Sequence, residues 1–462
     1  MMPAVPGTLS VPAPDSLPGP LLTCSHPWPD ADLLAFLHLG KGHPRVFWES
    51  EKSPLALAGF GIAAQLTASG ADRFTQIAAQ ARQLFANLQR VGAPSHATPI
   101  LIGGFAFRPG GDPDDPCWAA FADAQFILPR VQLTRTNGET WLTLNHLLTP
   151  DEDPAAIAVH LTEQAQDLIW QGLSGEYDSP IVAEPDPRPI PVTSSTSHAA
   201  WVEMLTAVTH RIRRGDLKKV VLARATHAEF PAPFPLAVLH ARLAARYPDC
   251  YRFLFEPTPG HAFFGATPEL LAQVHAHELH TIALAGSTPF GKTWQEDQRL
   301  GQELLHSPKD RQEHEFVVQA LRENLAPLTA RLEIPTTPEL CLLNNIQHLL
   351  TPVHGQLSNG HGILPVIQAL HPTPALGGTP RGVALPLIEQ SEPLPRGWYG
   401  APIGWLAPNG DGEFAVAIRS AVANQTRVRL YAGVGVVADS DPDKEWRETE
   451  LKFQPILKAL GL

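Results

Sequence analysis

The chain has 462 residues, of which 44% are hydrophobic and 17% are charged, a composition typical of globular proteins with a substantial core. Its 46 acidic and 34 basic residues give a formal net charge of −12, and no basic run stands out, which argues against a nucleic-acid partner. No apolar run of about 18 residues is present, so the sequence predicts no membrane-spanning helix.

The N-terminus and the cysteines predict where the protein works. The first basic residue is Lys41, whereas a secretory signal peptide needs basic residues near its start. The four cysteines, Cys24, Cys117, Cys250 and Cys341, are scattered and form no C-x-x-C pair. This usage is typical of a reducing compartment without zinc ribbons or disulfide frameworks, so we expect a soluble cytoplasmic protein.

The first part of the chain divides into an extension and a strand-rich half. Residues 1–30 are rich in Pro, Ser and Gly and predict a disordered extension. The half at 44–195 contains the β-like runs RVFWES, PILIGGFAF, FILPRVQLT and TWLTLNHLL. Helical periodicity occurs in ADRFTQIAAQARQLFANLQRV and at 154–172, and residues 178–197 have the composition of a connector.

The second half, residues 196–462, has a more regular pattern. SHAAWVEMLTAVTHRIRRGD predicts a helix with Ser197 as N-cap and Gly215 as stop, and LKKVVLARAT predicts a buried strand. The runs YRFLFE, AFFGA, ELLAQV and LHTIALAG predict an antiparallel meander. Helices follow at 308–330 and 363–370, then the strands EFAVAIRSAV and RVRLYAGVGVV and a closing helix. Runs of strands followed by helices indicate the α+β class.

The closing helix contains a charged stripe in the segment DPDKEWRETELK. Helical spacing places Glu445, Glu448 and Lys452 on one face, whereas Glu450 points elsewhere. Such stripes are usually solvated, and Glu448 with Lys452 is by itself an ordinary i,i+4 pair. The stripe alone therefore leaves both a solvated face and a functional site open.

Two further glutamates are candidates for chemistry. In SPKDRQEHEF, Ser307 and Asp310 form a capping box around Pro308, whereas Glu313 lies one turn further and has no capping role. Glu269, in FFGATPELLAQ, lies between two apolar runs. A carboxyl beside apolar surface tends to have a raised pKa and can act as a general acid. A surface glutamate and a turn glutamate, respectively, are the alternatives.

A lysine and two glycine segments complete the local candidates. Lys219 begins the run KVVLAR, and one-sided desolvation there favours the neutral, basic amine, although Lys218 and Lys219 also suit simple protection of a strand end. Gly286–Ser287 and Gly433 end or interrupt strands, where freed amides can bind carboxylate oxygens. GFGIAA lacks the βαβ context of a dinucleotide loop, and HAHELH lacks the HExxH spacing, so neither predicts a cofactor or metal site.

Ten motifs in one order carry a family resemblance. They are KVVLAR, FFGATPELL, ALAGST, SPKDRQEHE, NNIQHLLT, HPTPALGGTP, WYGAPIGW, FAVAIRSA, YAGVGVV and EWRETELK. This set resembles the chorismate-utilising enzymes and, within them, the isochorismate synthases. The match is dense over 200–455, and the region at 44–150 resembles the family's more variable N-terminal half. The fold that the resemblance implies is one large α+β domain with two packed, antiparallel-rich β-sheets and helices outside.

The resemblance also implies roles for individual residues. Lys219 matches the general base toward water, and Glu269 matches the general acid. Glu313 and Glu448, with Glu445 beside them, match the ligands of Mg²⁺. The positions that match the binding site of the substrate carboxylates are Gly286, Ser287, Tyr399, Arg419, Gly433 and Lys452, and His348 matches an active-site histidine.

The implied reaction moves a hydroxyl group of chorismate from C4 to C2. Neutral Lys219 would take a proton from the water that attacks C2, and protonated Glu269 would give one to the hydroxyl that leaves C4. Mg²⁺ would offset the charge of the dianionic substrate beside the glutamates. The isochorismate formed would serve menaquinone or siderophore biosynthesis.

Three other interpretations stay open at this point. A salicylate synthase shares the lysine and both acids and then eliminates pyruvate. Anthranilate and aminodeoxychorismate synthases take ammonia from an amidotransferase and often lack the lysine; this chain has Lys219 and no amidotransferase domain, so we expect no such subunit. A non-catalytic chorismate-binding protein is disfavoured by the presence of Lys219 and Glu269. The loop STPFGK departs from many relatives, which carry arginine around Thr288–Phe290.

Overall fold

The computed structural model describes residues 19–92, 97–111, 114–173, 190–343, 346–358 and 360–462. The helices are α1 (Leu33–Leu39), α2 (Arg73–Phe85), α3 (Pro154–Leu173), α4 (His198–Arg213), α5 (Leu236–Arg246), α6 (Trp294–His306), α7 (Pro308–Leu325), α8 (Ile363–Leu370), α9 (Arg381–Ser391) and α10 (Pro442–Leu460), with a 3₁₀ turn at Ala326–Leu328. No helix in these ranges combines the length and apolar character needed to cross a bilayer.

The strands are β1 (Leu21–Pro27), β2 (Arg45–Glu49), β3 (Leu55–Phe60), β4 (Ala64–Ala68), β5 (Gln89–Val91), β6 (Leu101–Phe105), β7 (Ala124–Leu128), β8 (Val131–Thr136), β9 (Glu139–Leu147), β10 (Val192–Ser194), β11 (Lys219–Glu229), β12 (Tyr251–Thr258), β13 (His261–Thr267), β14 (Leu270–His275), β15 (Glu278–Pro289), β16 (Thr329–Glu333), β17 (Glu339–Leu343), β18 (Ile346–Leu357), β19 (Gly378–Thr379), β20 (Pro402–Leu406), β21 (Gly412–Val416), β22 (Ser420–Asn424) and β23 (Arg427–Val436).

Within the described ranges these strands form two sheets, of 13 and 10 strands. The large sheet has the order β10-β11-β23-β22-β13-β12-β2-β3-β8-β9-β1-β5, with β19 also paired to β11. The small sheet has the order β16-β18-β15-β14-β21-β20-β6-β7-β4, with β17 also paired to β18. Only β1 and β5 pair in parallel among the described strands, so the predicted α+β class with two antiparallel-rich sheets is confirmed.

The two sheets pack face to face through an aromatic layer. Trp48, Phe253 and Phe263 of the large sheet share a buried cluster with Ile403 and Trp405 of the small sheet. Burying each of these large side chains contributes about 1.5–3 kcal/mol. Helices α1, α3, α5 and α10 cover the outer face of the large sheet, and α2, α7 and α8 cover the small sheet, so the predicted outer helices are confirmed.

The predicted extension ends earlier than expected. Leu21–Pro27 is strand β1, and its run LLTC is buried against β9, so the prediction of disorder up to residue 30 is wrong for this segment. Burial of Leu21, Leu22 and Cys24 in the sheet outweighs the Pro-rich composition of the surrounding sequence. Residues 1–18 and the connector residues 178–189 lie outside the part of the chain that is described.

Helix prediction succeeded where the signals are local. Ser197 caps α4 by accepting a hydrogen bond from Ala200 N, and Gly215 follows with a φ of +85°. Helix α7 ends at Leu325 rather than at residue 330, because Pro327 cannot continue the helix. Helices α1, α5, α6 and α9 have no counterpart in the prediction.

The chain crosses from one sheet to the other at two points. Each point lies inside a segment that the sequence predicts to be a single meander or a single strand. The meander from β12 to β15 is wrong as a single sheet, because β12 and β13 pair in the large sheet and β14 and β15 in the small one. Glu269 lies at this crossing. The run EFAVAIRSAV likewise splits into β21 and β22, with Arg419 at the crossing and a φ of +50°. Val416 N donates to Glu269 O at 3.0 Å, so the two crossings lie side by side.

Candidate active site

A cavity of about 130 Å³ lies where the two crossings meet. Five of the residues predicted from the family resemblance line it, namely Glu269, Tyr399, Arg419, Gly433 and Lys452. The fold therefore brings one carboxyl and two cationic groups to the same small space, from segments that are up to 183 positions apart between residues 269 and 452. Such a set can bind an anion and move a proton.

Glu269 is the acidic member of the cavity. Burial raises the pKa of Glu269 to about 7, although the positive charges of Lys452, Arg419 and Lys219 act in the opposite direction. The carboxyl is therefore protonated below neutral pH and ionised above it. A group with this pKa can give or take a proton near physiological pH.

Lys219 begins β11 and reaches toward α7. Its Nζ donates to Glu313 Oε1 at 3.1 Å. A β-carbon at position 435 would lie 2.8 Å from Lys219 Cε. Because Gly435 has no side chain, the Lys219 side chain has space to lie along the sheet. Lys218 is directed elsewhere, with its Nζ 4.4 Å from the centre of the Phe316 ring. The two neighbouring lysines therefore occupy different surroundings, as the alternation of a strand requires.

Gly433 turns its backbone toward the cavity because of the strand register. Ala223 is its partner on β11, but Ala223 N donates to Glu392 Oε1 at 2.7 Å instead of to β23. Ala223 and Gly433 therefore form a non-hydrogen-bonded pair of the antiparallel ladder, in which the N–H and C=O of Gly433 point away from β11. The carbonyl accepts from Lys452 Nζ at 2.9 Å. Strand β23 continues through Gly433, so the prediction that glycine interrupts the strand is wrong, and register frees the amide instead.

Tyr399 uses that amide. Burial raises the pKa of Tyr399 to about 12, while a hydrogen bond from the Gly433 backbone acts in the opposite direction. The Tyr399 ring stacks on Tyr431, with ring centres 5.1 Å apart. The phenol therefore stays protonated at neutral pH and can donate to an anion in the cavity.

Gly286, Ser287 and His348 form a second group beside the cavity. Strand β15 has a bulge between Ala285 and Ser287, and Gly286 has a φ of +77°, which glycine adopts without strain. Ser287 Oγ lies 2.8 Å from His348 Nδ1. Burial lowers the pKa of His348, a hydrogen bond with the Gly286 backbone opposes this, and the charge of Lys452 lowers it further.

The charged stripe of α10 stays together on one face of the helix. Lys452 Nζ lies 2.6 Å from Glu448 Oε1. Burial raises the pKa of Glu445, a hydrogen bond from Ser440 lowers it, and the nearby charge of Glu448 raises it again. Glu450 forms an ion pair with Arg224 instead, so the prediction that Glu450 points away from the stripe is confirmed.

Within the described ranges, no three His, Cys, Asp or Glu side chains lie close enough together to hold a metal ion. Glu313 contacts Lys219, and Glu448 contacts Lys452, so each carboxylate has an ammonium as its counter-charge. Glu445 and Glu448 are close enough for their charges to interact unfavourably. Carboxylate oxygens are the ligands that Mg²⁺ prefers, so the chemistry of these side chains suits that ion.

One buried ion pair that shapes the cavity has no counterpart among the residues predicted for the site. Arg396 forms a two-point ion pair with Glu392, with the two side chains 3% and 5% exposed. Its Nη2 donates to Val221 O and its Nη1 to Leu376 O, each at 2.9 Å, and both of these residues line the cavity. No local signal indicates this pair, because Pro393 and Pro395 exclude the helix in which i,i+4 spacing would bring the two side chains together.

Comparisons with known proteins agree over nearly the whole chain. Residues 15–461 match the family model described as chorismate binding enzyme. The chain is 39% identical to the salicylate biosynthesis isochorismate synthase of Pseudomonas aeruginosa, over 90% of this chain and 85% of that protein. It is 32% identical to the isochorismate synthase MenF of Bacillus subtilis, over 96% and 93%. The structure of the menaquinone-specific isochorismate synthase MenF of Escherichia coli matches with a TM-score of 0.77 and 27% identity, over 96% and 95%.

Proposed function

The chain belongs to the chorismate-binding enzymes, and on that premise we propose that it is an isochorismate synthase, an isomerase of the hydroxymutase type. The observation that carries the proposal is the cavity that joins the half-buried Glu269, with its pKa raised to about 7, to the cationic Arg419 and Lys452. An acid that can be protonated near neutral pH, beside two cations, suits a dianionic substrate that loses a hydroxyl group.

Lys219 and Glu269 divide the proton transfers. Lys219 takes a proton from water as the water oxygen bonds to C2 of chorismate. Glu269 gives a proton to the C4 hydroxyl as the C4–O bond breaks, so that this group leaves as water. Glu313, 3.1 Å from Lys219 Nζ, stabilises the ammonium that forms. Protons and water balance, since one water enters and one leaves.

The substrate carboxylates bind to the cationic and amide groups. Arg419 and Lys452 offset the cost of removing a dianion from water. The Tyr399 hydroxyl, which accepts from the Gly433 amide, and the amides near Gly286 and Ser287 supply directed hydrogen bonds, with His348 beside the bulge. This assignment rests on the cavity and the bulge as the structure has them, and on the family resemblance of the motifs.

Glu313 and Glu448, with Glu445 beside them, would hold Mg²⁺. The ion would offset carboxylate charge of both the protein and the substrate. Because water is the nucleophile, no amidotransferase subunit is needed. We place the activity in the cytoplasm, in keeping with the scattered cysteines. The product would enter menaquinone or siderophore biosynthesis.

The product distinguishes this function from the alternative of a salicylate synthase. Purified protein incubated with chorismate and Mg²⁺ should form isochorismate with no matching release of pyruvate, because the proposed chemistry ends after the hydroxyl transfer. Chromatography for isochorismate and a lactate dehydrogenase assay for pyruvate measure both. Equal amounts of pyruvate and salicylate would show that the enzyme is a salicylate synthase, and no conversion of chorismate would reject the function.

Removing the metal should abolish activity, and replacing its proposed ligands should weaken the response to Mg²⁺. EDTA should stop the reaction and added Mg²⁺ should restore it. Glu313→Gln and Glu448→Gln should each raise the half-saturating Mg²⁺ concentration by more than the about 10–100-fold that is typical of losing an outer-shell partner, because a charged ligand is lost. Glu315→Gln is the matched control, since Glu315 is exposed on the same helix. Full activity in excess chelator would exclude the proposed ion.

A further inference from the structure

His314 follows Glu313 on α7 but points into the protein. Its side chain is 3% exposed, and it lies between α7 and the small sheet. Nδ1 is 3.2 Å from the carbonyl oxygen of Ala285 on β15, and Nε2 is 2.8 Å from Thr351 Oγ1 on β18. One imidazole therefore connects a helix to two strands.

The two contacts assign the tautomer of this ring. The Ala285 carbonyl can only accept, so Nδ1 carries the hydrogen and donates it. Nε2 is then a bare acceptor, and the Thr351 hydroxyl donates to it. Both ring nitrogens are satisfied, as buried polar groups require.

The Ala285 carbonyl is a functionally important place for such a contact. Strand β15 loses its register with β18 between Ala285 and Ser287, and Gly286 occupies the bulge. Helix α7 packs closely on this bulge, because a β-carbon at Gly286 would lie 3.2 Å from Asp310 Cβ. The imidazole thus holds Ala285, the residue at which the bulge begins. On the helix, His314 is the residue next to Glu313.

We propose that His314 is a positioning residue that fixes the Glu313 carboxylate relative to the Gly286–Ser287 bulge, so that binding of the cation and of a substrate carboxylate depend on each other. This inference rests on the proposed function, in which Glu313 holds the ion and the bulge binds a carboxylate. If α7 moves against β15, the two half-sites separate and both affinities fall.

Two substitutions of His314 separate positioning from plain stability. Asparagine places its amide nitrogen where Nδ1 lies and keeps the bond to Ala285, but it loses the bond to Thr351. Glutamine places its terminal atoms where Nε2 lies and keeps the bond to Thr351, but it loses the bond to Ala285. Each variant loses one hydrogen bond, so similar decreases of the melting temperature are expected. Thr351→Val removes the same bond as His314→Asn and is the control for it.

The functional effects should be unequal. His314→Gln should raise the chorismate KM and the half-saturating Mg²⁺ concentration together, each about tenfold, the factor typical of one lost buried hydrogen bond. His314→Asn and Thr351→Val should leave both constants within about twofold of wild type. Equal constants for His314→Asn and His314→Gln would overturn the proposal and make His314 an ordinary core residue.

A measurement without substrate tests the positioning directly. Hydrogen exchange of the peptide that contains Gly286 and Ser287 should be faster in His314→Gln and unchanged in His314→Asn. If the glutamine variant does not fold, His314→Ala with added imidazole replaces it, and imidazole should restore slow exchange. Unchanged exchange in His314→Gln, or in His314→Ala where that variant replaces it, would overturn the proposal. If exchange changes as expected but Glu313→Gln leaves the Mg²⁺ requirement intact, the proposed function has failed instead.

Discussion

Replacing Lys219 by glutamine is expected to lower kcat by about 10²- to 10⁴-fold, the range typical of losing a positioned base. Glutamine keeps the polarity and can still donate to Glu313, which Lys219 Nζ contacts at 3.1 Å. It cannot accept a proton from water, so the loss should appear in kcat, while the half-saturating Mg²⁺ concentration changes little. Steady-state kinetics with saturating and with limiting Mg²⁺ separate these two quantities.

Lys218→Gln is the control for this result. Lys218 is adjacent in sequence but lies on the Phe316 ring, with its Nζ 4.4 Å from the ring centre. We expect its kcat to stay within a few-fold of wild type, since neighbouring strand residues face opposite sides. Equal losses in the two variants would reject Lys219 as the base and indicate a general effect on the end of β11.

The separation of these lysines shows what local patterns can predict. The apolar run in KVVLAR, the Ser197 cap and the helical spacing of Glu445, Glu448 and Glu450 are properties of a few neighbouring residues, and the structure agrees with the secondary structure inferred from them. Ser307 caps α7 by accepting from Asp310 N, as the S-x-x-D pattern predicts. Short-range signals therefore gave the elements that carry the site.

The position of Glu269 between two sheets depends on distant partners instead. A turn that joins two strands of one sheet and a crossing between two sheets use the same local residues, and only pairing with β21 and β22 distinguishes them. The same holds for Arg419 and for the freed Gly433 amide, which depends on the register of β23 with β11. The family resemblance supplied these residues, and their physical roles appear only when the distant strands are placed.

Replacing Glu269 by glutamine is expected to slow the conversion of chorismate and the reverse conversion of isochorismate by the same factor, about 10²- to 10⁴-fold. An amide can donate a hydrogen bond but cannot transfer its proton to a leaving hydroxyl group. A catalyst cannot change the equilibrium ratio, so both directions must lose equally. Mg²⁺ half-saturation should change little, since Glu269 is not among the proposed ligands. Progress curves from each pure substrate give both rates, and wild-type speed in both directions would show that Glu269 is a structural turn residue.

Comparing the pH profiles of the wild type and of Glu269→Gln tests the identity of the general acid more directly than the decrease in rate does. In the proposed mechanism, the productive enzyme carries one proton on the pair of Glu269 and Lys219: on Glu269 for the forward reaction and on Lys219 for the reverse. These two forms bind the same number of protons, and the overall reaction releases none, so the forward and reverse kcat/KM profiles of the wild type must have one shape. Because the pKa of Glu269 is raised to about 7, one limb of that shared profile should lie near pH 7.

Glu269→Gln should remove this limb in both directions, since the side chain then has no charge to lose at any pH. Glu413→Gln is the matched control, because burial also raises the pKa of Glu413 to about 7. That carboxyl accepts from Trp48 Nε1 at 3.0 Å and from Gln273 Nε2 at 2.9 Å in the layer between the sheets, and it does not line the cavity. Its replacement should leave the limb in place. A limb that persists in Glu269→Gln and disappears in Glu413→Gln would assign the ionisation to the core and remove the main support for Glu269 as the acid.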